Sequence, residues 1–519
     1  MSISVKNNIK YGTIISFLTM FASVILHIFY TPFLLKHVGS EQYGIYSFAT
    51  SVTTWFTIAL GALASSYNRF AIEKTTGKKD DERNINGAYF VLFFFLSLIT
   101  VLIATIFLVL LSTQTIKLDN YSDEEQKLIA ILLFISIVQV IVLILSKVFT
   151  LNIALHNKFI WVKGISFFSI VLSSLCCIPF LIIGKGIITV TLVSLAVNTL
   201  ACVSDIVFDL CVLKIGIKIP HDKKYLKETL KTIGVFSAII LLDEISAIIN
   251  ASLDKAILGF KGYKNEVTQY ALAYSIFYIA KNTVSLLPST LGPKINENTC
   301  LAKHDSNFRI FNFISLFQLL IWMLILGGFI SCGKEFVLLW VGEEHLVSYY
   351  ICSVLLVINT IPSTQSCATE ILRSQNKHYK RAYIIMGSTF LNALLTIILV
   401  SVLPREKAII GCLIGTAISV FIGDWVVLSI YNSKSINMPM GTYWGNFVKT
   451  AAITAFGIGI VLLLENFFFS NLEINIFVLF IIKGSIFVCI FILLTILLLK
   501  KPIRNSFSMV KGLKDSSRL

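Results

Sequence analysis

The sequence is dominated by long apolar runs with almost no charge in them. "GAYFVLFFFLSLITVLIATIFLVLLS" (87–112) and "IFVLFIIKGSIFVCIFILLTILLLK" (476–500) are examples. A bilayer core about 30 Å thick takes roughly 20 helical residues to cross, and these runs are that long. In lipid every backbone group has to find its partner inside the protein, which leaves only helices and closed barrels. A barrel is written in alternating segments of about ten residues, and the runs do not alternate. Hydrophobic residues make up 56% of the chain and charged residues 14%, against about 25% charged in soluble domains. The expected fold class is an all-α polytopic membrane protein.

Fourteen candidate spans can be marked, near 10–35, 44–66, 87–112, 128–150, 161–183, 187–213, 232–253, 268–291, 309–330, 348–371, 381–403, 408–430, 447–465 and 474–499. Lys281, Pro288, Asn359 and Pro362 interrupt spans eight and ten. The first run is too long for a cleaved signal peptide, lacks a small-residue cleavage site, and leads through "PFLLKHVG" into another span.

Basic residues orient the bundle. "RFAIEKTTGKKDDER" (69–83), "KIGIKIPHDKKYLKETLK" (214–231), "RSQNKHYKR" (373–381) and "KKPIRN" (500–505) all fall on one side, with about 32 of the 43 lysines and arginines. Positively charged loops stay cytoplasmic, so both termini are expected on the cytoplasmic side of the membrane. The net charge of +15 is then mainly a topology signal, with attraction to anionic membrane lipids as a second effect. It is scattered over short loops, which argues against nucleic acid as a partner. The ten cysteines form no CxxC pair and have no zinc-ligand spacing, so no metal is expected.

"QYGIYS" (42–47), between spans one and two, returns as "QYALAYS" (269–275) between spans seven and eight. "ALHNKFIWVK" (154–163) is echoed in the same way by "RSQNKHYKRAY" (373–383). Each echo lies six spans on, so two six-helix lobes of like orientation are expected, related about an axis along the membrane normal. The expected division is an N-lobe at 1–213, a cytoplasmic linker at 214–231, a C-lobe at 232–430, and spans thirteen and fourteen with a basic tail at 431–519.

Ionisable groups inside spans are costly and mark candidate sites. Asp243 and Glu244 lie near the middle of span seven, and Lys281 lies midway along span eight, within expected reach of one of them. Asn198, Cys202, Asp205 and Asp209 form one helical stripe on span six. Asp209 has Lys214 close by in sequence as a structural partner. His27, Lys147 and Asp424 are further buried candidates, for ion coupling or for structure. Arg69, Lys294 and Arg373 would ring the cytoplasmic mouth, where such cations pair well with phosphate. Ordinary positive-inside anchoring is the plain alternative for Lys294 and Arg373. No nucleophile triad, P-loop or dinucleotide fingerprint occurs, and no enzymatic activity is expected.

The opening "NNIKYGTIISFLTMFASVILHIFYTPFLLKHVGSEQYGIYSFATSVTTWF" resembles the Wzx-type polysaccharide flippases of the multidrug/oligosaccharidyl-lipid/polysaccharide exporter superfamily. The likeness rests on Pro32, Gly39, Glu41, Tyr43, Gly44, Tyr46 and Arg69, on "SLDKAILGFKGYKNEVTQYALAYSIFY" (252–278), and on the turns "ALHNKF" and "RSQNKH". Asn157 and Asn376 stand where such turns often carry Gly, and Asn also tolerates the left-handed conformation. The resemblance implies a carrier of polyprenyl-diphosphate-linked oligosaccharides for O-antigen or capsule. It implies a cationic cavity, a lipid-tail groove beside spans thirteen and fourteen, and a polysaccharide polymerase as a partner. No cofactor is expected, and the buried acids leave coupling to H+ or Na+ open. A multidrug exporter of the same fold would want a carboxylate-rich cavity, against which Lys281 argues. A lipid II flippase differs only in substrate. A membrane-embedded glycosyltransferase or polymerase would need a large outer loop, and the longest such connection, near 113–127, is short.

Overall fold

The computed structural model describes residues 3–74, 79–113, 115, 118, 120–220, 222–301, 304–375, 377–436, 440–469 and 474–515. The helices are α1 (Ile3–Val38), α2 (Ser40–Trp55), α3 (Ile58–Lys74), α4 (Lys79–Ser112), α5 (Asp123–Leu155), α6 (Phe159–Ile182), α7 (Gly186–Val207), α8 (Lys223–Phe260), α9 (Lys264–Cys300) and α10 (His304–Trp340). They continue as α11 (Val347–Ile358), α12 (Thr360–Thr364), α13 (Ser366–Ser374), α14 (His378–Val402), α15 (Ala408–Val420), α16 (Ser429–Ile436), α17 (Gly441–Leu464) and α18 (Ile476–Asp515). Short π-helical stretches extend α7 (Phe208–Leu213), join α15 to α16 (Phe421–Leu428) and extend α17 (Glu465–Phe469). No strand occurs among the described residues. The protein is an all-α multi-pass membrane protein.

Among the described residues ten helices are long and apolar enough to cross a bilayer, and the bent pair α2–α3, with 46° between its halves, makes an eleventh. The other three of the fourteen expected spans, seven, eight and ten, are helical but fall outside that set. α8 carries Asp243, Glu244, Asp254 and Lys255; α9 carries Lys281; span ten is divided into α11, α12 and α13.

Pro362 explains the broken span. Lacking an N–H, it frees the carbonyl of Ile358 one turn back, and the indole of Trp425 donates to that oxygen at 2.8 Å. Other side chains cover the neighbouring carbonyls: Trp322 donates to Leu356 O at 3.2 Å and Gln318 to Ser363 O at 3.4 Å. In lipid such a break holds only when neighbouring side chains take up the freed groups.

Local signals explain the helix ends. Ser122 and Glu125 form a capping box at the start of α5, whose first turn is acidic, as the helix dipole favours. Asn157 ends the α5 turn at φ 58°, the left-handed conformation expected of it. Its counterpart Asn376 lies outside the described residues.

The chain forms two compact units, Met1–Thr268 and Gln269–Leu519. The first unit includes α8. The reason is packing: α8 lies against α2 and α3. In the first unit α1 packs on α6 and α5 on both α4 and α7; in the second α10 packs on α17 and α18 and α14 on α15.

Gly44, the glycine of "QYGIYS", is dictated by close approach. A Cβ there would lie 2.2 Å from the carbonyl oxygen of Lys264, at the first turn of α9. The same junction is tied by charge, because the Lys264 ammonium sits 2.6 Å from Glu125 and 3.1 Å from Glu41. Partial burial works against the charged Lys264, but these two carboxylates outweigh it and hold its pKa above the usual value.

Candidate functional site

In the first unit the polar stripe of α7 faces α5. Asp205 accepts hydrogen bonds from Thr150 Oγ1 at 2.7 Å and from the Trp161 indole at 3.1 Å, and Lys147 is the cation acting on it. Cys202 meets Ser146 Oγ at 2.9 Å. Asp209 takes hydrogen bonds from the Asn152 amide and from the backbone N–H of Gly216, the latter at 3.1 Å. These replace the Lys214 pairing that sequence proximity suggested. Lys214 contributes its backbone instead: it turns left-handed at φ 56°, and its carbonyl accepts from Arg83 at 3.1 Å. Asn86 reaches the Gly216 carbonyl at 3.1 Å and accepts from Tyr67 at 2.6 Å. Asp209 is therefore the centre of a fully bonded network that holds the exit of α7 against α3, α4 and α5.

Other candidates are satisfied locally. Asn198 bonds back to Ser194 O at 2.8 Å on its own helix, and exposed His27 to Ser23 O at 3.0 Å. Glu244 lies against α3, where a Cβ on Gly61 would come within 2.7 Å of its carboxylate. Asp243 lies beside it on α8. The side chain of Arg69 is outside the described residues.

In the second unit Lys294 pairs with Glu297 at 2.9 Å and Arg373 with Glu370 at 3.3 Å, both one turn apart on their own helices. Exposed pairs of this kind contribute little, and both cations already hold a carboxylate. Lys281 differs. It sits in the middle of α9 with an exposed side chain, 6.0 Å from the centroid of the Phe277 ring. The charges acting on it come from other helices: Asp424 in the π-helical stretch between α15 and α16, and Arg381 in the first turn of α14. Asp424 feels the same two cations.

The local fold explains this convergence. Trp425 is drawn to the carbonyl that Pro362 frees, which fixes the π-helical stretch carrying Asp424. Below it, Gln365 of span ten bonds Ser429 at 3.1 Å and Asn432 at 3.0 Å. The result is a carboxylate, Asp424, flanked by two cations, of which Lys281 is exposed. Such a cluster suits an anion of more than one charge. Sequence reasoning identified Lys281 and Asp424 but counted Arg381 only as a loop cation. The available signal was its position at the very end of "RSQNKHYKR", where the apolar run of span eleven begins.

A second charged group contrasts with it. Lys483 of α18 lies 2.6 Å from Glu335 of α10 and 2.8 Å from Glu465 beyond α17. Lys483 is covered here, whereas Lys281 is accessible. The sequence showed Lys483 alone in an apolar run; its partners are far away along the chain. Among the described residues no group of His, Cys, Asp and Glu is arranged to hold a metal ion. An apolar groove of about 430 Å³ in the first unit, lined by Ile15, Trp161, Phe168 and Phe208 with Lys158, has the character of a lipid-facing surface.

No protein-family model matches the sequence, and no curated protein matches it. Solved structures do match. The structure is similar to the lipid II flippase MurJ in an inward closed conformation, with a TM-score of 0.70 and 15% identity over 95% of this chain and 99% of that one. It is also similar to the MATE multidrug transporter DinF-BH, with a TM-score of 0.58 and 12% identity over 83% of this chain and 96% of that one. A MATE transporter of Vibrio cholerae, VcmN, matches with a TM-score of 0.58 and 13% identity, over 85% and 100% of the two chains. At such identities the likeness is one of fold.

Proposed function

We propose that the chain is a flippase that moves polyprenyl-diphosphate-linked oligosaccharide repeat units across the bacterial cytoplasmic membrane for surface polysaccharide synthesis. Its fold is shared with a lipid flippase and with exporters of small molecules, which favours transport by alternating access. The observation that carries the reading is the exposed Lys281 beside Asp424 and Arg381. A structural ion pair in lipid is covered, as Lys483 with Glu335 is; Lys281 is exposed, and a diphosphate would take up its charge. In this reading Lys281 and Arg381 hold the diphosphate. Asp424 releases one cation to the substrate when a proton or Na+ takes its place. Arg69, Lys294 and Arg373 guide the headgroup at the mouth, and Asn198, Asp205, Asp243, Glu244 and His27 serve the sugar path or ion coupling. The repeat-based division into 1–213, 214–231, 232–430 and 431–519, with both termini cytoplasmic, belongs to the same proposal, as do a polymerase partner and anionic lipids. Transport needs no bond-breaking residues, and none are assigned.

A lipid II substrate is the second reading. It is favoured by the coverage of the likeness to MurJ, 95% of this chain against 83% for DinF-BH. An exporter of organic cations fits less well, because the positive charge of exposed Lys281 repels such a cargo. The deciding experiment deletes the gene and identifies the polyprenyl-linked sugar that accumulates on the cytoplasmic side. An O-antigen or capsule unit supports the proposal, lipid II supports the second reading, and no accumulation overturns both.

A further inference from the structure

We infer that the apolar groove between α1 and α6 seats one acyl chain of an anionic phospholipid, with Lys158 at its head holding the phosphate. The inference concerns a membrane lipid and does not depend on the substrate proposed above. The groove, of about 430 Å³, lies within the first unit and is lined by Ile15 of α1, by Lys158, Trp161, Gly164 and Phe168 along α6, and by Phe208 at the exit of α7. Packing shapes it. At Gly12, one turn before Ile15, an added Cβ would meet Phe159 Cβ at 2.6 Å, so α1 closes on the first turn of α6 at the basic end. Deeper along α6, nothing lies within 4 Å of where a Cβ on Gly164 would stand, and the missing side chain keeps the groove open. On one wall Trp161 stacks on Phe208, with ring centroids 4.3 Å apart.

Depth and charge together select the occupant. From Lys158 to Phe168 the helix rises roughly 15 Å, which is half of a bilayer core about 30 Å thick and so the depth of one leaflet's chains. Phe168 is 66% exposed, so the groove opens sideways to lipid. Lys158 forms no ion pair among the described residues, and neither does exposed Lys163 in the second turn of α6. No acid stands in the first turn of that helix. The acids bonded to neighbouring residues are engaged elsewhere. Asp205 is 6% exposed behind Trp161, whose indole donates to it at 3.1 Å, and Glu82 faces His156 at 3.4 Å. A lysine at the membrane surface without a carboxylate of its own attracts the phosphate of an anionic lipid. Trp161, with an apolar ring and a bonded N–H, suits the same interfacial level. Because Trp161 both lines the groove and donates to Asp205, a chain seated there braces the polar stripe of α7.

The test is quenching of tryptophan fluorescence by brominated lipids, with the full-length protein in phosphatidylcholine vesicles. Phosphatidylglycerol or phosphatidylcholine with brominated chains is added in increasing proportion, and the Trp161 signal is the difference between the wild type and Trp161→Phe. Half-quenching is expected at roughly fivefold less brominated phosphatidylglycerol than phosphatidylcholine, the effect of one lysine beside an anionic lipid. In Lys158→Ala the two lipids should quench alike. In Gly164→Leu, where leucine fills the groove, neither should quench Trp161. Equal quenching by both lipids in the wild type overturns the inference, as does a preference that survives Lys158→Ala. Relief of the quenching by a polyprenyl phosphate overturns it too, because the groove then belongs to the tail of the transported lipid. If Trp161→Phe does not fold, native mass spectrometry of the wild type, Lys158→Ala and Gly164→Leu replaces the fluorescence. One more retained phosphatidylglycerol on the wild type than on either variant is expected, and equal retention overturns the inference.

Discussion

The carboxylate of Asp209 accepts the backbone N–H of Gly216 at 3.1 Å while its other oxygen takes the Asn152 amide. An acid inside an apolar span here belongs to the folding of a helix exit. Removing it strands a buried N–H and a buried amide, each of which costs about 1–3 kcal/mol. Asp209→Ala is therefore expected to lower stability by about 2–4 kcal/mol, and Asp209→Asn by less. Thermal melting of the purified protein checks this, and an Asp209→Ala protein as stable as the wild type would show the network to be dispensable.

Lys281 is expected to behave in the opposite way. Its side chain is exposed, so truncation leaves the fold intact. A hydrogen bond to a charged group is worth about 1.5–3 kcal/mol, which is roughly 10- to 100-fold in binding. Lys281→Ala and Arg381→Ala should each reduce surface glycan by that order with normal amounts of protein in the membrane. Lys294→Ala and Arg373→Ala, whose charges are already paired on their own helices, should have little effect. Quantitative glycan blots beside membrane fractions decide it; full display in both Lys281→Ala and Arg381→Ala would remove the cluster from the transport path.

How far the sequence reveals this depends on the distance over which each interaction acts. The helical spans are legible because lipid imposes a length and an apolar composition that every span repeats. Asp209 is legible as a buried acid, but its partner is a backbone N–H presented only after Lys214 turns left-handed. The break in span ten is announced by Pro362, yet what makes it tolerable is an indole from span twelve. Lys483 is conspicuous, whereas its partner Glu335 stands 148 residues earlier, and no local pattern joins them. Arg381 was hidden because a cation at a helix start and one at a binding site are written alike.

Gly44 offers a steric test. The carbonyl of Lys264 lies where a Cβ would go, and backbone cannot move aside as a side chain does. Overpacking of this kind costs about 1–3 kcal/mol. Gly44→Ala is expected to lower the melting temperature and to weaken the ion pairs of Lys264 with Glu41 and Glu125, making the protein less sensitive to salt. A Gly44→Ala protein with an unchanged melting point would show that α2 is free to shift.

His345 gives the structure an acid-sensitive joint. It is 5% exposed in the connection between α10 and α11, where Gln269 of α9 donates to Glu344 O at 2.8 Å and lies 3.2 Å from His345 Nδ1. Burial holds the His345 pKa below its usual 6.5, against the pull of Glu344. The unfolded chain then binds the proton more readily than the folded one, so stability rises with pH across the interval between the two pKa values. The contribution is fully present above the unfolded value and is lost as pH falls below it toward the folded value. The loss proceeds at no more than about 1.4 kcal/mol per pH unit for a single proton. Protonation also turns Nδ1 from an acceptor into a donor facing an amide donor. Melting temperature should therefore decline on acidification through that interval, and His345→Gln should flatten the decline while leaving neutral-pH stability nearly unchanged. An identical acid decline in His345→Gln would assign the sensitivity to another group.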